Sequence, residues 1–278
     1  MEFVTNAALS VQLMWAGAAL CLAWFVLSCA AWTIDRRLLF GESVWAKPLR
    51  FSSSLAMHYA TYAIVISWLS SAWQTGATMT VIATVAVVSL TFQVGFIGIQ
   101  GARGEPSHFN TKTPLMRKLE LTMAVMAANV TAPMAIVGAV VLIEQGFVFS
   151  DAVRFATGLG LILGTVMTFI SAYHLGMRQT PYFGEKPAHD RRSPGLDWSL
   201  DRGDLRPAHF FATHMMQATP IAGLLAAYFL APQAALVVSL AITFVWGWLA
   251  VRTYRLAVQG RSITELITAN ATSRPATS

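Results

Sequence analysis

Six histidines are the most chemically versatile side chains in the chain: His58, His108, His174, His189, His209 and His214. Neutral imidazole ligates zinc, copper and iron and exchanges protons near neutral pH, so converging histidines imply a metal or haem centre, or acid–base chemistry. His58, His174 and His214 lie in three different apolar segments. They are the set expected to act as metal ligands or catalytic acid–base groups. His209 and His214 are five residues apart, about 140° around a regular helix, so the pair does not readily chelate one ion. The i, i+4 histidine pair of the HExxH zinc motif is absent from the sequence. Met57-His58 and His214-Met215-Met216 place thioethers beside imidazoles, but adjacent helical residues diverge. His189 lies in a charged stretch and is expected to be solvated. Cys21 and Cys29 are two helical turns apart, about 12 Å, too far for a disulfide.

Other polar residues recur at helical spacing inside apolar runs. Ser54, His58, Thr61 and Tyr62 share one face, and Ser89, Gln93 and Gln100 another. Thr122, Met126, Asn129 and Pro133 follow Glu120; Gly164, Thr168, Ser171, His174 and Arg178 descend a fourth face; His209, Thr213 and Gln217 form a fifth, with His214 one turn from Gln217. Polar groups at membrane depth are costly unless they face the bundle interior, so the stripes point to a polar internal cavity. Part of them serves as packing glue, at about 0.6 kcal/mol per interhelical hydrogen bond. Lys47, Arg50, Arg117, Lys118 and Arg206 stand where helices begin, reversing the usual preference for acids there. Together with His108, Asn110 and His209 they suggest a mouth that holds an anionic head. Anchoring at the positive side of a bilayer explains the same residues, and the run Asp201-Arg-Gly-Asp-Leu-Arg206 can also neutralise itself. The expected ligand-contacting set is Lys47, Arg50, Ser54, Tyr62, Gln93, His108, Asn110, Arg206, His209 and Gln217.

The elements that position these residues follow from composition. Of 278 residues, 55% are hydrophobic and only 12% charged, with a mean hydropathy of +0.56. Soluble domains carry about 25% charged residues, so a polytopic membrane protein remains. Seven segments approach the ~20 apolar residues that a crossing needs: 7–34, 49–71, 78–101, 115–142, 152–177, 208–230 and 233–257. Of the 19 Lys and Arg, Arg154 alone falls on the second side of this arrangement. The positive-inside bias then places the N-terminus outside and the C-terminus in the cytoplasm. The net charge of +6 resides in the loops, a topology signal and not a nucleic-acid surface. Glu2 before the first segment and Asp35-Arg36-Arg37 after it read as stop-transfer, not as a cleaved signal peptide. The expected fold is all-α: a seven-helix transmembrane domain over 1–258 in a bacterial inner membrane, and a disordered cytoplasmic tail over 259–278. Pro48, Pro114 and Pro207 open the three segments that enter from the cytoplasm. Gly101-x-Arg103-x-x-Pro106 and Gly176-x-Arg178-x-x-Pro181 close two that return, which suggests three helical hairpins added to a lone first helix.

Lys47-Pro-Leu-Arg-Phe51, Ser107-His-Phe-Asn110 and Gly203-Asp-Leu-Arg-x-x-His-Phe210 together resemble an uncharacterised bacterial family of seven-helix integral membrane proteins. The resemblance covers most of the chain and implies that these residues belong together. Ser54-x-x-x-His58 resembles the second-helix motif of CREST hydrolases, whose His and Asp ligands bind zinc and activate water. Here the third segment has no Asp, and the late pair is HxxxxH on the sixth segment and not HxxxH on the seventh. Met57-His58-Tyr59 resembles one MHYT sensor motif, a domain built from several copies. Two functions are expected: a metal- or haem-dependent membrane enzyme acting on a lipophilic substrate, or a transporter or sensor that binds a small lipophilic or anionic ligand.

Overall fold

The computed structural model describes residues 7–110 and 112–266. Glu2 and most of the expected tail lie outside the described residues. The long helices are α1 (Leu9–Ile34), α2 (Ala46–Ser67), α4 (Ala77–Arg103), α5 (Pro114–Ile143), α6 (Asp151–Arg178), α7 (Leu205–Phe229) and α8 (Pro232–Val258). A five-residue helix, α3 (Ser71–Thr75), precedes α4. Two antiparallel pairs of two-residue strands complete the described elements, with a 3-10 turn at Ile263–Leu266. β1 (Leu38–Leu39) pairs with β2 (Glu42–Ser43), and β3 (Tyr182–Phe183) with β4 (Gly203–Asp204).

Five helices, α1, α4, α5, α6 and α8, are long and apolar enough to cross a membrane. The other two long helices, α2 and α7, have 22 and 25 residues. At about 1.5 Å per residue both exceed the ~30 Å hydrocarbon thickness. They fall short in apolarity through Ser52, Ser53, Ser54, His58, Thr61 and two tyrosines in α2, and His209, Thr213, His214 and Gln217 in α7.

Each expected segment corresponds to one long helix, but α2 and α7 start three residues early. Pro114 occupies the first position of α5, where the Thr113 side chain caps the helix by accepting from Met116 N at 3.1 Å. Pro48 and Pro207 instead stand third in α2 and α7. A proline is tolerated there as well, since none of the first four N–H groups has an intrahelical partner.

The helices pack as two lobes. In the first, α1 lies along α2 and against α4, and α2 touches α4; in the second, α6, α7 and α8 all touch one another. α5 packs on α4 and α6, and α2 meets α7 across the lobes. The first helix is therefore not alone but pairs with α2; the expected α5–α6 and α7–α8 hairpins pack together, while α2 and α4 touch less extensively, and α6 pairs with α7 as well. The β1–β2 turn ties α1 to α2: Val44 N donates to Arg37 O at 3.2 Å, and Trp45 Nε1 donates to Asp35 at 2.9 Å.

The two lobes repeat one order of elements, α1–β1–β2–α2–α4 and α6–β3–β4–α7–α8, and share sequence at matching places. Phe40-Gly41-Glu42 and Phe183-Gly184-Glu185 leave the first strand, both glycines at positive φ of 88° and 80°, a conformation that costs glycine least. Lys47-Pro48-x-x-Phe51 and Arg206-Pro207-x-x-Phe210 open the second helix. Val87-Val-Ser-Leu90 and Val237-Val-Ser-Leu240 lie in the third, with Ser89 and Ser239 both buried. The second unit has the longer strand connection, and only the first has α3. Within the second lobe the helices approach closely through glycine: a Cβ on Gly160 of α6 would lie 1.7 Å from Thr219 Oγ1 of α7.

Candidate functional site

The polar stripes of α2, α4, α5 and α7 meet in a seam between the lobes. On α2, His58 is 4% exposed, with the Tyr62 ring edge-on to it at 5.1 Å. Tyr62 donates to the Val130 carbonyl of α5 at 3.2 Å. His58 Nε2 is buried without a partner among the described residues. On α4, Gln93 is 3% exposed and its Nε2 is likewise unpartnered. One turn away, Ser89 accepts from Asn129 Nδ2 of α5 at 3.3 Å. Ser54 is half-buried one turn before His58.

The α7 side is built from the equivalent helix. Gln217 Nε2 donates to Thr61 Oγ1 across the lobes at 3.3 Å, and its Oε1 lies 3.2 Å from His214 Nδ1. The Phe210 ring lies 4.4 Å from that of His214, centroid to centroid. His209 pairs with Ser171 of α6 at 2.9 Å. The structure thus brings His58, Tyr62, His214 and Gln217 to one seam, with Gln93 one turn from Ser89, while His209 is turned to α6.

His174 does not join them. Its Nδ1 contacts the Ile170 carbonyl at 3.0 Å, and Tyr254 of α8 lies 3.2 Å away. Among the described residues no three or more His, Cys, Asp or Glu side chains are placed to hold a metal ion. A hollow of about 450 Å³ between α7 and α8 is apolar, lined by residues such as Ile221, Leu225, Phe229 and Trp246, and contains none of the expected site residues.

The mouth at the starts of α2 and α7 is organised by ion pairs. Arg50 forks onto Glu42 at 3.0 and 2.5 Å, and this hydrogen-bonded guanidinium holds the Glu42 carboxyl below its ordinary pKa. Arg206 binds Asp204 at 2.7 Å and Asp197 at 3.2 Å. Both arginines expected to hold an anion are therefore already neutralised. Asp204, at the N-cap of α7, is the sequence signal for one of these pairs; Glu42, eight residues before Arg50, offers none. The long charged loop before α7 is folded: Arg191 pairs with Asp201, Arg202 with Asp190, and three guanidinium groups surround the Tyr182 ring, that of Arg202 at 3.8 Å. His189 is exposed, as expected.

Lys47 has a different partner. Its ammonium lies 2.9 Å from His108 Nδ1, which Ser107 Oγ also approaches at 3.2 Å, while Glu120 acts on Lys47 through space. Burial, then the Lys47 charge, push the His108 pKa down to about 3, so its ring is neutral and Nδ1 accepts a hydrogen bond from the ammonium. Asn110 Nδ2 donates to Pro106 O at 3.3 Å, folding this loop back on itself. Asn110 and His108 thus shape the loop under α2, α4 and α5.

No protein-family model, curated protein or solved structure matches this chain.

Proposed function

We propose that this chain is a carrier of a small molecule, spanning a bacterial inner membrane seven times with its N-terminus outside and its C-terminus in the cytoplasm. The ligand passes unchanged through the seam between the lobes. One observation carries this reading: the two long helices too polar to qualify as spans, α2 and α7, occupy equivalent places in the repeated units and touch each other through Thr61 and Gln217. A helix can keep polar residues at membrane depth when neighbours shield it from lipid. Parallel repeats with a polar interface near mid-membrane are the arrangement on which alternating access operates. The metal- or haem-enzyme reading needs donors that converge, and His174 is engaged with α8, away from His58 and His214.

The test uses Thr61→Cys in a Cys21→Ala, Cys29→Ala background. Right-side-out and inside-out vesicles are treated with a membrane-impermeant maleimide. A carrier exposes the introduced thiol to both sides in turn, so labelling proceeds in both preparations. Labelling from the cytoplasmic side alone, or from neither side, overturns the proposal.

A further inference from the structure

The seam also constrains what it can bind. This inference rests on the carrier reading. The stretches 51–67, 77–102, 121–143 and 207–229, which supply α2, α4, α5 and α7 at membrane depth, contain no Asp, Glu, Lys or Arg. A charged solute would meet no counter-charge there, and an uncompensated charge in that environment is strongly disfavoured. The nearest ion pairs and ammonium groups stand at the cytoplasmic mouth, where Glu42, Asp197 and Asp204 already neutralise Arg50 and Arg206.

A purely apolar solute fits no better. His58 Nε2 and Gln93 Nε2 are buried and unpartnered, and an apolar ligand would leave both unsatisfied, at the full cost of their desolvation. Their surroundings place them together. Tyr62, packed on His58 one turn away, reaches Val130 of α5, while Ser89, one turn from Gln93, accepts from Asn129, the preceding residue of α5. The two faces therefore converge on the same turn of α5. The chemistry of the two atoms is complementary. A neutral imidazole with its proton on Nδ1 presents Nε2 as an acceptor, and His58 Nε2 is the unpartnered atom. Gln93 Nε2 is a donor.

We infer that the seam takes an uncharged solute bearing both a hydrogen-bond donor and an acceptor, a hydroxylated or amide-bearing molecule. The donor meets His58 Nε2 and the acceptor meets the Gln93 amide nitrogen. Thr61 of α2, with His214 and Gln217 of the facing α7, supplies the remaining polar contacts.

The experiment is thermal unfolding of the purified full chain with two panels of compounds. One is uncharged (xylitol, glucose, myo-inositol, urea, acetamide) and the other charged (lactate, citrate, glutamate, choline). At least one uncharged compound should raise the melting temperature saturably, by about 3 °C or more at ten times its Kd, and no charged compound should. His58→Ala and Gln93→Leu should each weaken that affinity at least tenfold. His58→Gln, which restores an acceptor should His58→Ala fail to fold, should retain most of it. His189→Ala, on the exposed loop, should leave it unchanged. Three results would overturn the ligand class: a saturable shift from charged compounds only, no shift from any uncharged compound, or a non-saturating shift equal in wild type and His58→Gln and His58→Ala, which is an osmolyte effect. Two-sided labelling of the Thr61→Cys protein with a charged ligand would keep the carrier and discard the class. One-sided labelling with an uncharged ligand would do the reverse.

Discussion

Replacing Asp204 with Ala separates a structural from a ligand-binding role for Arg206. The Asp204 side chain is 2% exposed and accepts from Ser199 N at 2.9 Å, Arg206 N at 3.0 Å and the Arg206 guanidinium at 2.7 Å. Loss of an N-cap costs about 1 kcal/mol. Breaking a buried ion pair by removing one partner costs about 3–5 kcal/mol, but here the larger part is offset. The Arg206 side chain is 27% exposed and keeps Asp197 at 3.2 Å. A total near 2–3 kcal/mol is therefore expected, measured by unfolding in mixed micelles with increasing SDS. Asp201→Ala is the matched control, because its partner Arg191 is 72% exposed and solvent takes over the lost pairing. Its effect should be much smaller. If Arg206 instead served an anionic ligand, Asp204→Ala would free the guanidinium, improve binding of inorganic phosphate and spare stability. That combination would refute the assignment of Arg206 to the fold.

Two further outcomes follow from packing and protonation. Gly160→Ala should destabilise the α6–α7 contact by about 1–3 kcal/mol through overpacking, because the new Cβ would sit 1.7 Å from Thr219 Oγ1; Thr219→Gly in the same chain should recover most of the loss in the same unfolding assay. His108 is held at about 3 in the folded loop, below its ordinary value of 6.5, so the unfolded chain binds more protons between those values. Its contribution to stability is complete above pH 6.5 and is lost as pH falls from there toward 3, by about 1 kcal/mol near pH 5.5. His108→Gln keeps an acceptor for Lys47 but does not titrate, so its melting temperature should fall less than that of wild type between pH 7.5 and about 5.5. Parallel curves would remove His108 as the cause.

The seven long helices are legible in the sequence because apolar runs of about 20 residues leave few alternatives, and most of their ends agree closely with the expected ones. The starts of α2 and α7 are misplaced because a proline marks the first turn of a helix without marking which residue of it. Strand pairs of two residues have no periodicity to read, so the β1–β2 and β3–β4 connections are invisible, and with them the pairing of α1 with α2. Individual site residues are legible from helical spacing: Thr61 and Gln217 each stand on an expected stripe. Their meeting across 156 positions is a property of lobe packing, which a stripe does not encode. The same holds for Arg50 and Arg206, whose charges are evident in the sequence while their carboxylate partners are set by turns. His174 shows the converse: it stands on an expected stripe, and its partner Tyr254 comes from a helix with no stripe of its own.

The single helix between the lobes has a consequence for how such a chain can arise and be rebuilt. In the proposed topology a three-helix unit starts on one face of the membrane and ends on the other. Two copies fused end to end would therefore lie upside down relative to each other. One extra crossing corrects the parity, and α5 is that crossing. Deleting it would carry the arginines of the β3–β4 connection to the external face, against the charge bias that orients the chain. Cutting the chain between α5 and α6 leaves the parity intact, so two co-expressed fragments, 1–147 and 148–278, have the polarity needed to reassemble. An ancestor of one unit paired with itself would have needed no α5 at all.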